Sequence, residues 1–133
     1  MASANHLSWL CKWQADRILS QRPINPRKKG LAYLDFLGSE KIEEAHECLQ
    51  QSVQQRGDKS KIIVLVKLVE TSYEMYKMTP GLYEEEFLAD YHLARKYLEK
   101  LATDPNYKNA ETAKEQKQYV DGIFENSGIS SKQ

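Results

Sequence analysis

Few side chains in this 133-residue chain could do chemistry, and their spacing argues against their acting together. His6, His46 and His92 fall on different predicted helices, none with a Cys or His at the spacing of paired zinc ligands. Zinc sites usually announce themselves by short pairs such as C-x-x-C or H-x-x-x-H, which bring two ligands onto one turn or one helix face. Cys11 and Cys48 are isolated, each inside an apolar helical pattern and without a local nucleophile signature. Two reduced, buried thiols are the expectation, which agrees with a cytoplasmic address. Glu43, Glu44 and Glu47, or Glu84, Glu85 and Glu86, could be imagined as acid–base pairs. Solvated helix faces, and negative charge set against a helix N-terminus, account for them without catalysis. Gly30, Gly38, Gly57 and Gly81 are dispersed at segment ends and make no phosphate-binding loop. The expectation is a protein that is not an enzyme and that holds no cofactor and no metal.

Charge narrows the partners further. Nineteen basic and nineteen acidic residues cancel, so no global field favours nucleic acid or an anionic membrane. Arg22, Arg27, Lys28 and Lys29, gathered around Pro23 and Pro26, are the one marked basic cluster. They suit either an acidic protein partner or a solvated turn leading into a helix. The longest apolar run, 62–66, is far too short to span a bilayer, and the first residues do not read as a secretory signal. No membrane insertion is expected. With 41% apolar and 29% charged residues, the composition is that of an ordinary globular protein.

The apolar periodicity predicts an all-α chain of six helices, near 6–21, 27–37, 39–56, 59–77, 80–103 and 107–126. Pro23 and Pro26 separate the first two, Gly38 ends the second and Gly57 follows the third. Ser39, Asp58 and Thr79 are candidate N-caps, and Pro80 suits the first helical position after Thr79. The run 62–66 could be a buried strand. Continuation through Val69, Tyr73 and Tyr76 at helical period favours a helix buried on two faces. In the fifth helix Phe87, Tyr91, Ala94, Leu98 and Leu101 form the seam. One domain over 1–126 is expected, with 127–133 a polar, disordered tail.

Short connections make successive helices antiparallel neighbours, pairing the second with the third and the fourth with the fifth. The first and last then cover the ends, and Trp9 and Trp13 either seal one end or take part in recognition. Residues Tyr91, Ala94, Tyr97, Leu98 and Leu101, closed by Asp104 and Pro105, put a small residue between large apolar ones. This pattern resembles the second helix of a tetratricopeptide (TPR) repeat, and a weaker copy surrounds Ala45, Cys48, Leu49 and Val53. The two alanines are 49 residues apart, more than the usual period of about 34, with the surplus in the fourth helix and the start of the fifth.

The resemblance implies stacked helical hairpins whose concave groove takes a peptide or helix segment of a protein partner. Thr71 and Gln116 stand near positions where one subtype of the family has the asparagines that hold a partner's terminal carboxylate. That clamp is therefore not expected here. The first helix of each hairpin lines the groove, which nominates Lys67, Glu70 and Glu74, with Lys114 and Lys117 at its edge. The function expected is an adaptor or scaffold. The alternative is a generic helical bundle that serves as a structural subunit of an obligate assembly.

Overall fold

The computed structural model describes Arg27 and residues 42–129; every regular element in them is helical, with no strand among the described residues. The expectations placed on the first two helices, His6, Cys11, Trp9, Trp13 and most of the basic cluster lie outside the described residues. The chain divides into two units, with the boundary between Gln55 and Arg56.

Helix α1, Ile42–Arg56, buries Ala45, Cys48, Leu49, Ser52 and Val53. Their spacing of three and four residues is that of a single helical face. Ala45 and Leu49 are wholly inaccessible, and Cys48 is buried outside any disulfide. The helix ends where Gly57 turns to φ +57, a left-handed conformation that glycine adopts without the clash a Cβ would bring.

The unit 56–133 consists of a 3-10 turn, Gly57–Lys59, and three helices: α2, Ile62–Met78; α3, Pro80–Thr103; and α4, Ala110–Asn126. Ser60 closes the 3-10 turn by donating from its hydroxyl to the Gly57 carbonyl at 2.7 Å. Asp58 does not cap α2 as its position suggested. The N-cap is Lys61, which makes no side-chain cap bond, while the Asp58 carboxylate pairs with Lys100 at 3.4 Å. The run 62–66 is helical. Val64, Leu65, Val66, Leu68, Val69, Thr71, Ser72 and Met75 are all buried, which is burial on more than one face.

Thr79 alone separates α2 from α3. Its N–H donates to the Met75 carbonyl at 3.0 Å, and its own carbonyl accepts from Leu82 and Tyr83 at 3.1 and 3.2 Å. The cap is thus made by backbone, without the expected side-chain bond, and Pro80 supplies the preset φ of a first helical turn. After α3, Asp104 accepts from the Asn106 N–H at 2.9 Å across Pro105, and linked turns lead to α4. Hydrogen bonds from the Ser127 and Gly128 N–H groups end α4, with Gly128 at φ +74.

Contacts at both ends fix the helix directions. Tyr73 and Tyr76 on α2 meet Phe87 on α3 at ring-centroid distances of 5.5 and 5.6 Å, close to the Thr79 turn. At the far end Lys100 reaches Asp58, and the Tyr97 hydroxyl lies 3.8 Å from where a Gly57 Cβ would be. Helix α3 is therefore antiparallel to α2. With 24 residues against 17, it overhangs the start of α2 and supports the 3-10 turn. Helix α4 returns antiparallel again. Tyr91 stacks on Phe124 at 4.5 Å with planes 2° apart, Arg95 pairs with Asp121, and Glu99 pairs with Lys117. Helices α2 and α4 consequently run parallel on the seam of α3, where Phe87, Ala94 and Leu98 are fully buried and Tyr91 nearly so.

Replacing Ala94 by Trp should cost about 3 kcal/mol or more, since a fully buried methyl site cannot take an indole without displacing a helix. Thermal melts followed by circular dichroism would register the loss; an unchanged melting temperature contradicts the packing of α3. Tyr91 gives a pH-dependent counterpart. Burial, and then the 2.7 Å bond it donates to Asp121, hold its phenol up at about 12 against an ordinary 10. Folding favours the protonated phenol, so this stabilisation is complete below pH 10 and is lost as pH rises towards 12. Tyr91→Phe should be less stable by about 1.5–2 kcal/mol at neutral pH, the worth of a hydrogen bond to a carboxylate. Its melting-temperature deficit should then shrink across that alkaline window.

Candidate functional site: a groove between parallel helices

Two parallel helices on a common support leave a furrow between them wherever side chains are too short to meet. Between α2 and α4 this furrow is an open groove of about 910 Å³. Its α2 wall is Lys61, Ile62, Ile63, Val66, Lys67 and Glu70; its α4 wall is Tyr107, Asn109, Thr112, Gln116 and Tyr119. The spacing explains the division of labour. On α4, Ala113, Val120 and Ile123 turn to the core, while Thr112, Gln116 and Tyr119, separated by four and three residues, share a face outside it. On α2, Val66 is buried at the base whereas Ile63 stays half exposed. One wall therefore sets three apolar side chains among three charged ones, and the other carries amide and hydroxyl groups.

One end of the groove is closed by a polar bridge. The Tyr119 hydroxyl donates to Glu70 Oε2 at 2.5 Å, and Lys67 Nζ stands 3.1 Å from Glu70 Oε1. Oε1 is shielded from solvent and accepts no directed hydrogen bond, so Lys67 serves it as a nearby charge. The bond to Glu70, assisted by burial and by the carboxylate's charge, pushes the Tyr119 phenol up to about 12. Lys61 stands at the other end, with no ion pair among the described residues.

The five residues nominated from sequence separate into two places. Lys67 and Glu70 line the groove, as does Gln116. Glu74 does not; it pairs with Lys77 at 2.7 Å, one turn beyond the closing bridge. Lys114 and Lys117 line a smaller recess of about 360 Å³ between α3 and α4, with Glu99, Thr103 and Asp121. Lys117 is engaged there by Glu99, whose carboxyl that hydrogen bond holds below its ordinary range. Thr71 is buried and donates to the Lys67 carbonyl at 2.8 Å, which removes it from the groove.

Sequence reasoning passed over Ile62, Ile63, Tyr107 and Tyr119. A signal for Ile63 existed: five consecutive apolar residues exceed what a helix can bury on one face, so at least one had to look elsewhere. Tyr119 carried no such mark. His92 is exposed beside the Tyr91 and Phe124 rings, at 5.0 and 6.3 Å. No described helix is long and apolar enough to cross a membrane.

Glu70→Gln should bring the Tyr119 phenol most of the way back towards 10, because the first cause of its elevation is the bond to that carboxylate. An NMR titration of the tyrosine ring carbons would show one late-ionising phenol fewer than in the wild type. Below pH 10 the bridge stays intact; as pH rises through about 12 the phenol ionises beside Glu70 and the closed end opens. Compared with protein families, curated proteins and solved structures, the chain finds no match, so its groove is read from its own residues.

Proposed function

We propose that the chain is a non-catalytic, TPR-like adaptor or scaffold that holds a short segment of a protein partner in the α2–α4 groove. The single observation that carries this reading is the groove itself, with Ile62, Ile63 and Val66 facing a wall of Asn109, Thr112, Gln116 and Tyr119. Apolar area supplies binding free energy, and the polar wall can satisfy the backbone of a peptide laid against it. Tyrosine at the rim joins apolar area to a hydrogen-bonding tip, a combination enriched at interfaces. The up-down-up order of α2, α3 and α4, centred on buried Ala94, supports the repeat likeness. A cytoplasmic address belongs to the same proposal and rests on the isolated cysteines, of which Cys48 is buried and outside any disulfide.

Selection from a displayed random-peptide library on the purified chain tests the reading. Enriched peptides should bind the wild type and lose about tenfold or more in Kd with Ile63→Glu, whose side chain is half exposed. The paired reversal Lys67→Glu with Glu70→Lys should change partner choice and lower the melting temperature modestly, since it removes the bond Tyr119 donates to Glu70 as well as an ion pair that contributes about 0–1 kcal/mol. No enrichment, or peptides indifferent to both variants, would remove the groove from the function and favour a structural subunit of a larger assembly.

A further inference from the structure

Four large apolar side chains are exposed among the described residues, and they lie in two places. Ile63 and Tyr119, 51% and 45% exposed, belong to the concave groove. Met78 and Leu82, 62% and 67% exposed, lie at the turn between α2 and α3, where Pro80 and Gly81 are exposed as well. Charge divides the same way. The groove carries Lys61, free of ion pairs among the described residues, and Lys67, which pairs with Glu70, so its net charge is positive and rests on Lys61. Beside the turn stand Glu84 and Glu85, both exposed and outside every ion pair of the described residues, while Lys77 is held by Glu74 and lies 4.7 Å over the Tyr73 ring.

An apolar knob flanked by unpaired carboxylates thus faces outward at one end of α2, and an apolar furrow with lysines lies at the other. The fifteen residue steps from Ile63 to Met78 rise about 22 Å along the helix. A rigid helix of that length keeps the knob of one molecule out of its own groove.

We infer that the occupant of the groove is a second copy of this chain, which inserts Met78 and Leu82 against Ile62, Ile63 and Val66 and sets Glu84 and Glu85 towards Lys61 and Lys67. This rests on the reading of the groove as a protein-binding surface and names its partner. The two surfaces differ, so the contact is head-to-tail and does not close on itself; each added copy leaves one knob and one groove for the next. Two anchoring side chains make a small interface, so each contact is weak, with Kd about 100 µM. The charges act mainly on the rate of encounter and on orientation, which makes association fall with salt.

Sedimentation velocity on the full chain tests this, over a concentration series reaching about 0.5 mM so that a Kd near 100 µM is spanned. The wild type should show a weight-average sedimentation coefficient that rises reversibly with concentration. Leu82→Glu, which removes the knob, and Ile63→Glu, which fills the groove with charge, should each remain monomeric. Lys61→Glu, at a wholly surface position, provides a second groove variant and should weaken association without touching the core. The deciding sample is the mixture of Leu82→Glu with Ile63→Glu. The first keeps an intact groove and the second an intact knob, so together they should form a dimer that cannot grow. A wild type that stays monomeric throughout, a Leu82→Glu variant that associates like the wild type, or a mixture that stays monomeric with both variants folded would each overturn the inference. If library peptides still require Ile63 in that case, the protein-binding reading stands and only the second copy is excluded as occupant.

Discussion

The described residues from 56 to 129 depend on α3 being packed on two sides at once. Its seam of Phe87, Tyr91, Ala94 and Leu98 has almost no accessible surface, and both α2 and α4 contact it. Ala94 is the constraint within that seam, because a methyl group sets the room available to close neighbours at mid-helix. Interiors are packed like organic solids, so a side chain of another size there moves a whole helix. With α2 and α4 both antiparallel to α3, they must be parallel to one another, and the groove is the geometric remainder of that choice.

Polar interactions then tune what packing has arranged. Tyr91 donates to Asp121, which Arg95 also engages at 3.0 Å, so a buried phenol and an exposed guanidinium share one carboxylate across α3 and α4. The equivalent bond between α2 and α4 is Tyr119 to Glu70, in the groove itself. Both raise a phenol to about 12, but for different leading reasons: burial for Tyr91 and the hydrogen bond for Tyr119. The first fastens a core contact. The second closes one end of a binding surface, and being largely exposed it is free to yield when an occupant arrives.

The separation of exposed apolar groups into groove and knob gives this small fold two non-identical surfaces. The start of α3 carries Glu84 and Glu85, and the groove carries Lys61 together with the paired Lys67 and Glu70. The balanced total charge of the chain hides this polarity, because nineteen cations and nineteen anions sum to zero wherever they stand.

Much of the architecture was legible in the residues. Period, glycine and proline placed α3 at 80–103, as it is found, and continuation of the 62–66 pattern through Tyr76 identified a helix where a strand was also conceivable. These features are local: they depend on spacing within one helix and on the φ that glycine and proline allow. The caps were less legible: Thr79 is the N-cap of α3 but bonds through its backbone alone, and Asp58 has another partner. Lys100 takes Asp58 only because α3 overhangs the turn. The binding surface was legible in part. Lys67 and Glu70 line the groove, yet Glu74, one turn further, lies past the Tyr119 bridge, and Lys114 and Lys117 face another recess. Which polar position on a helix looks into a groove depends on how its neighbour crosses it, and the crossing is set by side chains such as Ala94 and Phe124 that are distant in sequence. The sequence by itself determined the helices and their buried stripes; only tertiary packing decided which of the remaining faces meet, because that choice is made by contacts between residues tens of positions apart.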